Sequence, residues 1–337
     1  MTIIELALSL AAILGAAVLF TNAVEILGER LDMGQGSVGS ILAAVGTALP
    51  ETMIPVVAIL GALILGRDPQ AASDIGIGAI LGAPFLLTTL AMFVVGASVL
   101  GFANRRGNGR EVVIDEEVTG HDMKYFLICF TIAAGAGIVA LPSFAKTIIG
   151  IGLICAYGYY VWEHLSSGGA DLEEVPEGLY LWPFSSTVPA WAAAGQVFVA
   201  LAVMVTGAEF FVGAVEQSSN TLGLPAGLIA LVLAPLATEL PEKFNSVIWV
   251  RNDKDVLALG NITGAMVFQS TIPVTLGLLF TPWRLNFIST FAVVTALVSG
   301  VAFYIMLRSK GPVRALYLMG GGVLYVVFLI AAITTVA

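Results

Sequence analysis

Charge is what this chain has least of. Only 11% of its 337 residues are Asp, Glu, Lys or Arg, and 58% are hydrophobic. A soluble domain carries about twice that charged fraction. With a mean hydropathy of +0.97, the composition excludes a globular enzyme with a membrane tail and describes a polytopic membrane protein. Basic residues are scarcer than acidic ones, 14 against 23, for a net charge of -9. No basic stripe exists, so nucleic acid is not an expected partner. Cysteine is nearly absent. Cys129 and Cys155 lie in apolar segments without metal-ligand spacing and read as small buried hydrophobes. The two histidines, His121 and His164, fall at loop edges, where solvation is expected. There is no Gly-x-x-x-x-Gly-Lys-Ser/Thr segment and no soluble stretch long enough to hold a nucleotide, so energy from nucleotide hydrolysis is not expected. The N-terminus is apolar from Ile3 without a basic lead, and is not read as a cleaved signal peptide.

What is present in quantity is apolar helix. About 20 such residues cross a bilayer. On that ruler the sequence predicts ten spans, at 3–28, 36–66, 74–101, 124–141, 143–164, 187–217, 225–250, 256–280, 285–307 and 313–336. Two loops are longer than the rest, 102–123 and 165–186. Ten basic residues fall in one set of loops (Arg30, the 105–124 group, Arg251 and Lys254, and the 308–314 group) and three in the other. The richer side is expected to be cytoplasmic. Both termini then face outside, loop 165–186 faces the cytoplasm, and the expected location is the plasma (inner) membrane.

The chain also repeats itself. Shifted by 191 residues, 20–51 falls on 211–242 without a gap, and twelve of 32 positions are identical. These include Glu25/Glu216, Thr47/Thr238, Pro50/Pro241 and Glu51/Glu242, which shared apolar composition does not explain. Further on, "GAILGA" (78–83) matches "GNITGA" (260–265) at a shift of 182. The expected architecture is all-α: residues 1–164 and 187–337 as two five-helix repeats joined by a linker at 165–186. Five is odd, so the second copy enters the membrane inverted. Inverted repeats with interruptions at matching positions point to a transporter whose site lies near the bilayer midplane.

The interruptions are expected at Gly46/Pro50 and Ala237/Pro241. Proline cannot donate to the helical ladder and frees a carbonyl one turn earlier. Thr47 and Glu51 are four apart and share a helix face, as do Thr238 and Glu242. Two carboxylates, two hydroxyls and freed carbonyls suit Ca²⁺, which takes 6–8 oxygens. An intramembrane acid costs several kcal/mol unless it is paired, and two matched ones favour an ion site. Three further acids are pathway candidates: Glu25 and Glu216, matched near span ends, and Glu209, deeper in its span. Lys243 follows Glu242 directly; it either pairs with Glu239, four residues back, or turns away from the core.

The paired Gly/Ala-Thr-x-Leu-Pro-Glu motifs, each followed by Gly-x-x-x-Gly, resemble the two alpha repeats of the cation/Ca²⁺ exchanger superfamily, which includes Na⁺/Ca²⁺ exchangers. "GAEFFVGAVE" (207–216) is similar to that family's helix before the second motif. The resemblance implies two slanted helices sliding over a rigid core, with alternating access. Na⁺/Ca²⁺ exchangers of the family read Gly-Thr-Ser-Leu-Pro-Glu, and here Ala48 and Glu239 replace the serine. In the following segments this chain has Ala79, Ala83 and Leu87, then Asn261, Ala265 and Gln269, so several ligands associated with Na⁺ are missing. Glu239 and Gln269 are thereby added to the expected site. Clustered carboxylates repel, and one that titrates on exchange is a proton carrier. That favours H⁺ over Na⁺ as counter-ion, although the Gly-Asn-Ala-x-Glu of the H⁺/Ca²⁺ branch is absent.

The expectation is therefore a secondary antiporter moving a divalent cation, Ca²⁺ first, against H⁺ or Na⁺, without a cofactor. Its partners are the lipid bilayer and inorganic cations. The alternatives are another cation (Mg²⁺, Mn²⁺ or Na⁺/H⁺ exchange), an uncoupled channel, or a non-transporting scaffold. An intramembrane enzyme is disfavoured, because no His-Glu-x-x-His motif or serine dyad accompanies the glutamates.

Overall fold

A computed structural model of the chain describes residues 2–30, 38–66, 68–166, 178–182, 188–309 and 313–336. The chain is almost wholly helical, in the order α1 (Thr2–Arg30), α2 (Val38–Leu65), α3 (Pro69–Leu86), a π-turn (Leu87–Ala91), α4 (Met92–Phe102), α5 (Glu116–Ile138) and α6 (Ser143–Ser166). Then follow α7 (Ala190–Leu222), α8 (Ala226–Arg251), α9 (Asp255–Gln269), α10 (Ile272–Phe280), α11 (Phe287–Arg308) and α12 (Ala315–Val336). Polar residues mark where helices start. Asp68 accepts from Gln70 N with Pro69 opening α3, and Asp115 accepts from Glu117 N and Val118 N at α5. Asn286 accepts from Ser289 N at α11. Each satisfies backbone donors that a helix leaves open. Gly223, with φ 68°, ends α7 in the left-handed conformation that glycine adopts at no steric cost.

Seven of the ten expected spans are long and apolar enough to cross a membrane: Ile4–Val24, Pro69–Phe102, Ser143–His164, Ala190–Leu222, Asp255–Phe280, Phe287–Arg308 and Ala315–Thr335. Among the described residues α5 and α8 fall short, and the side chains of the first part of α2 lie outside them. The first half of α5 carries Glu116, Glu117, His121, Asp122 and Lys124, and α8 carries Glu239, Glu242 and Lys243. The described apolar stretches beside the Pro-Glu motifs are Pro50–Ala62 and Ala226–Glu239.

The proline positions differ from expectation. α2 runs through Gly46 and Pro50 as one helix, and α8 through Ala237 and Pro241. Each proline removes one ladder bond without ending its helix, which membrane helices tolerate when neighbours re-satisfy the freed groups. The path is disturbed elsewhere, at the π-turn Leu87–Ala91 and at the break Ser270–Thr271 between α9 and α10. At the 182-residue shift that aligns 78–83 with 260–265, Thr88 falls on Ser270 and Thr89 on Thr271. The two disturbances thus occupy matching places. Both are built from hydroxyls and a nearby proline: Thr88 Oγ1 donates to Pro84 O at 2.8 Å, and Thr271 Oγ1 to Val267 O at 2.8 Å. The Thr88 carbonyl is in turn met by Ser299 Oγ from α11 at 2.7 Å.

The most extensive interfaces are α1 along α7 and α3 across α8. At the second, a Cβ on Gly78 would strike the Gly227 carbonyl, and one on Gly82 the Leu231 carbonyl and Pro235. Small residues let backbones approach closely where hydrophobic burial gives no drive between helices. One large apolar cluster gathers α3–α6 and α8–α12, and a second gathers α1–α3, α7 and α8.

Two ties link distant parts of the chain. Residues Glu111–Val112 pair antiparallel with Val313–Arg314. Beside them Arg106 forms a buried fork with Asp255, Nη1 to Oδ1 at 2.6 Å and Nη2 to Oδ2 at 2.5 Å, and Val113 N adds a third bond to Oδ2 at 3.0 Å. The hydrogen bond to Asp255 holds the Arg106 guanidinium above its ordinary value. At the second tie, Asn22 on α1 and Gln196 on α7 bond to each other at 2.9 Å and to the turn 178–182: Asn22 Nδ2 to Gly178 O, Tyr180 N to Asn22 Oδ1, and Leu181 N to Gln196 Oε1.

Candidate cation site

On α8, residues 239, 243 and 246 recur at i, i+4 and i+7 and so share one face. Glu239, Lys243 and Ser246 are all buried, as is the neighbouring Thr238. α9 packs against α8 and supplies Asn261 and Gln269. The Lys243 ammonium lies 3.4 Å from Glu239 Oε2 and donates to Asn261 Oδ1 at 2.8 Å. Gln269 Nε2 reaches the other carboxylate oxygen, Glu239 Oε1, at 3.4 Å. Of the two arrangements open for Lys243, the structure has the inward one.

The hydroxyls are differently placed. Thr238 Oγ1 gives its proton to Ala234 O at 3.1 Å, which leaves its lone pairs as acceptors. Ser246 Oγ is buried and has no hydrogen-bond partner among the described residues. Glu51, on α2, is buried too, and α2 packs against α8. The cluster is therefore rich in oxygen and carries one cation of its own, tethered to the chain. Hard oxygen donors of this kind hold Ca²⁺, Mg²⁺ or a monovalent ion rather than soft metals.

The structure joins Glu239 and Gln269 by direct contact and buries Thr238, next to Glu239 in the chain. The side chains of Glu25, Thr47, Pro241 and Glu242 lie outside the described residues. Of the pathway candidates on α7, Glu209 and Glu216 are both half-buried. Glu216 keeps Oε1 buried, without a hydrogen-bond partner among the described residues. Asn261 and Ser246 were not among the expected site residues. Asn261 had a signal, its place in the matched segment 260–265, whereas Ser246 shows itself only through its register with Glu239 on α8.

Comparison with known proteins adds the lineage. A family model described as sodium/calcium exchanger protein matches residues 1–164 and 192–336. A putative antiporter, CaxA, of Alkalimonas amylolytica is 26% identical over 121 residues, a match that spans 36% of this chain and only 35% of that protein. Among solved structures, the H⁺/Ca²⁺ exchanger CAX superposes with a TM-score of 0.66 at 16% identity, over 99% of this chain and 89% of that one. YfkE gives 0.70 at 13% identity, over 98% and 91%. The sodium-calcium exchanger NCX_Mj gives 0.58 at 18% identity, over 97% of both chains. Identities this low show a shared fold. With the family model matching both parts of the chain, this protein belongs to the sodium/calcium exchanger family.

Proposed function

We propose that the chain is a secondary cation antiporter that binds a divalent cation, Ca²⁺ first, at the acidic cluster of Glu51, Glu239 and Glu242, and exchanges it for H⁺ or Na⁺ by alternating access. The observation that carries this reading is the buried cluster of Glu239, Lys243, Asn261 and Gln269 inside a fold of exchangers. Three carboxylates and one ammonium sum to a formal charge of -2, which one divalent ion neutralises. Two protons neutralise it equally well, and protonation needs none of the hydroxyl ligands absent at Ala48, Ala83 and Ala265. This is why H⁺ is the favoured counter-ion. Thr47 and Thr238 complete the shell, and Gln269 orients Glu239.

Arriving cation and Lys243 are rivals for the same oxygens. Loading the site displaces the ammonium, and unloading lets it return. The halves 1–164 and 187–337, with the linker 165–186, act as inverted repeats of five spans each. Support comes from the disturbed helices at Thr88–Thr89 and Ser270–Thr271, which fall at aligned positions. α1 and α7, packed along each other, are the sliding pair, and Glu25, Glu209 and Glu216 line the route to the site. The plasma (inner) membrane is the proposed location, with both termini outside.

The test is ⁴⁵Ca²⁺ uptake into proteoliposomes, driven separately by a pH gradient and by a Na⁺ gradient, with Glu51→Gln as control. Uptake driven by pH alone and lost in the variant is the expected result. Uptake driven by Na⁺ alone replaces the counter-ion. Leak without any gradient coupling makes the protein a channel, and no Ca²⁺ movement transfers the proposal to another cation.

A further inference from the structure

A second cluster lies away from the acidic site, on the opposite face of α9. His121 and Asp122 on α5 and His164 on α6 each present one ligand atom, and the three atoms lie within 4.8 Å of one another. Asp122 is 1% exposed. Its carboxylate is held at both oxygens, by Tyr160 Oη on Oδ1 at 3.0 Å and by Thr263 Oγ1, from α9, on Oδ2 at 2.7 Å. A carboxylate has about four lone-pair sites, so two hydroxyls orient it and leave room for a cation. Thr263 and Asn261 are two residues apart on a helix, about 200° around its axis, so the two clusters do not share oxygens.

The histidines are set up as ligands. His121 Nε2 meets Glu163 Oε2 at 3.1 Å, and Tyr125 Oη donates to the same oxygen at 2.9 Å. A carboxylate that accepts from one ring nitrogen fixes the tautomer and leaves Nδ1 as the lone-pair nitrogen, an arrangement typical of metal-bound histidine. His164 packs against Tyr160 with ring centroids 4.6 Å apart and sits 6.2 Å from the His121 ring. The His121 side chain is 34% exposed, so an ion has access from solvent. Two imidazoles and one carboxylate select metals of the Zn²⁺ class over Ca²⁺, which prefers an all-oxygen shell. Ligands of tetrahedral Zn²⁺ stand about 3.4 Å apart, so binding has to draw the three ligand atoms together from their present spacing.

We propose that His121, Asp122 and His164 form a transition-metal site, for Zn²⁺ or a metal of similar preference, that pins α5 to α6 beside α9. It is independent of the cargo site and of the exchange reading. Water supplies the fourth ligand. Bound metal joins α5 and α6, and α9, which carries Asn261 and Gln269 of the proposed cargo site on another face, is tied to it through the Thr263–Asp122 hydrogen bond.

The test uses full-length protein purified in detergent after removal of any histidine tag. Co²⁺ is titrated and followed by its visible absorption, then displaced with Zn²⁺. Expected is one equivalent of Co²⁺ with a visible band in the wild type, kept in Glu51→Gln, and weakened at least tenfold in His121→Gln and in His164→Gln. Glu163→Gln, which only positions His121, weakens binding by about ten-fold. Zn²⁺ also raises the melting temperature of the wild type and not of His164→Gln. Absence of a saturable band in the wild type overturns the proposal without recourse to any variant. So does a band that survives in both histidine variants, or one that disappears in Glu51→Gln, which would place the metal in the cargo site.

Discussion

Lys243 is the residue on which the proposed cation site turns. A buried ammonium 3.4 Å from a carboxylate is held by that pair and by the amide oxygen of Asn261. Removing it as Lys243→Met takes away the internal rival of the cargo. The expected outcome is at least tenfold tighter Ca²⁺ binding, read as a larger Ca²⁺-dependent rise in melting temperature, together with slower net transport because release is retarded. Glu239→Gln acts in the opposite direction. It removes the Glu239 charge from the buried Lys243, a change that costs about 3 kcal/mol at comparable buried pairs, measurable as a lower melting temperature in the absence of cation. The sequence spoke clearly about Glu239, because a third acid beside two matched ones stands out. Which way Lys243 turns was not legible there. A lysine four residues from a glutamate on a helix is compatible with an inward pair or an outward tail, and only the packing of α9 against α8 decides between them.

At the scale of elements, the helices were readable because apolar length is a strong signal, and the repeat was readable because Thr, Pro and Glu recur together. The mistaken inference concerned proline. Pro50 and Pro241 lie inside continuous helices, while the disturbed places are the π-turn 87–91 and the break at Ser270–Thr271. In sequence those segments are ordinary threonine-containing apolar runs. Their irregularity depends on hydroxyls bonding back to carbonyls and on a partner such as Ser299 from another helix. Ser299→Ala leaves the Thr88 carbonyl without this donor and is expected to cost about 1 kcal/mol, seen as a small drop in melting temperature. The α3–α8 crossing is less forgiving. Gly82→Leu forces a side chain onto the backbone of Leu231 and is expected to cost more than the 1–3 kcal/mol typical of overpacking. Gly101→Leu, where a Cβ meets nothing within 4 Å, is expected to leave yield and transport unchanged.

For the whole molecule, the Arg106–Asp255 fork joins the loop after α4 to the start of α9, next to the β pairing of 111–112 with 313–314. Both side chains are fully buried, and losing either partner strands the other. Arg106→Ala and Asp255→Ala are each expected to cost about 3–5 kcal/mol, and the double variant less than their sum, as a double-mutant cycle of thermal unfolding in detergent will read. The hydrogen bond from Asp255 raises the Arg106 value. A raised basic group contributes in full below its ordinary value and is lost only as pH rises past the folded one. On the guanidinium side the tie therefore persists through the whole alkaline range in which the protein is handled. Nothing in the sequence paired these two residues. They are separated by nearly half the chain, and each resembles an ordinary loop charge until the helices are assembled.

A charge that cannot leave the protein has an electrical consequence. Carrying one elementary charge through a membrane voltage of 100 mV is worth about 2.3 kcal/mol. In an exchanger whose acidic site is not fully neutralised by its ions, the excess charge feels that full field each time the site crosses. In the proposed cycle the ammonium of Lys243 stays within the site, so it and the three carboxylates sum to zero with one divalent ion and equally with two protons. Turnover is then expected to respond little to voltage, and Lys243→Met, which leaves one uncompensated negative charge in both halves of the cycle, is expected to make it voltage-dependent, a difference that proteoliposome uptake at imposed membrane potentials resolves.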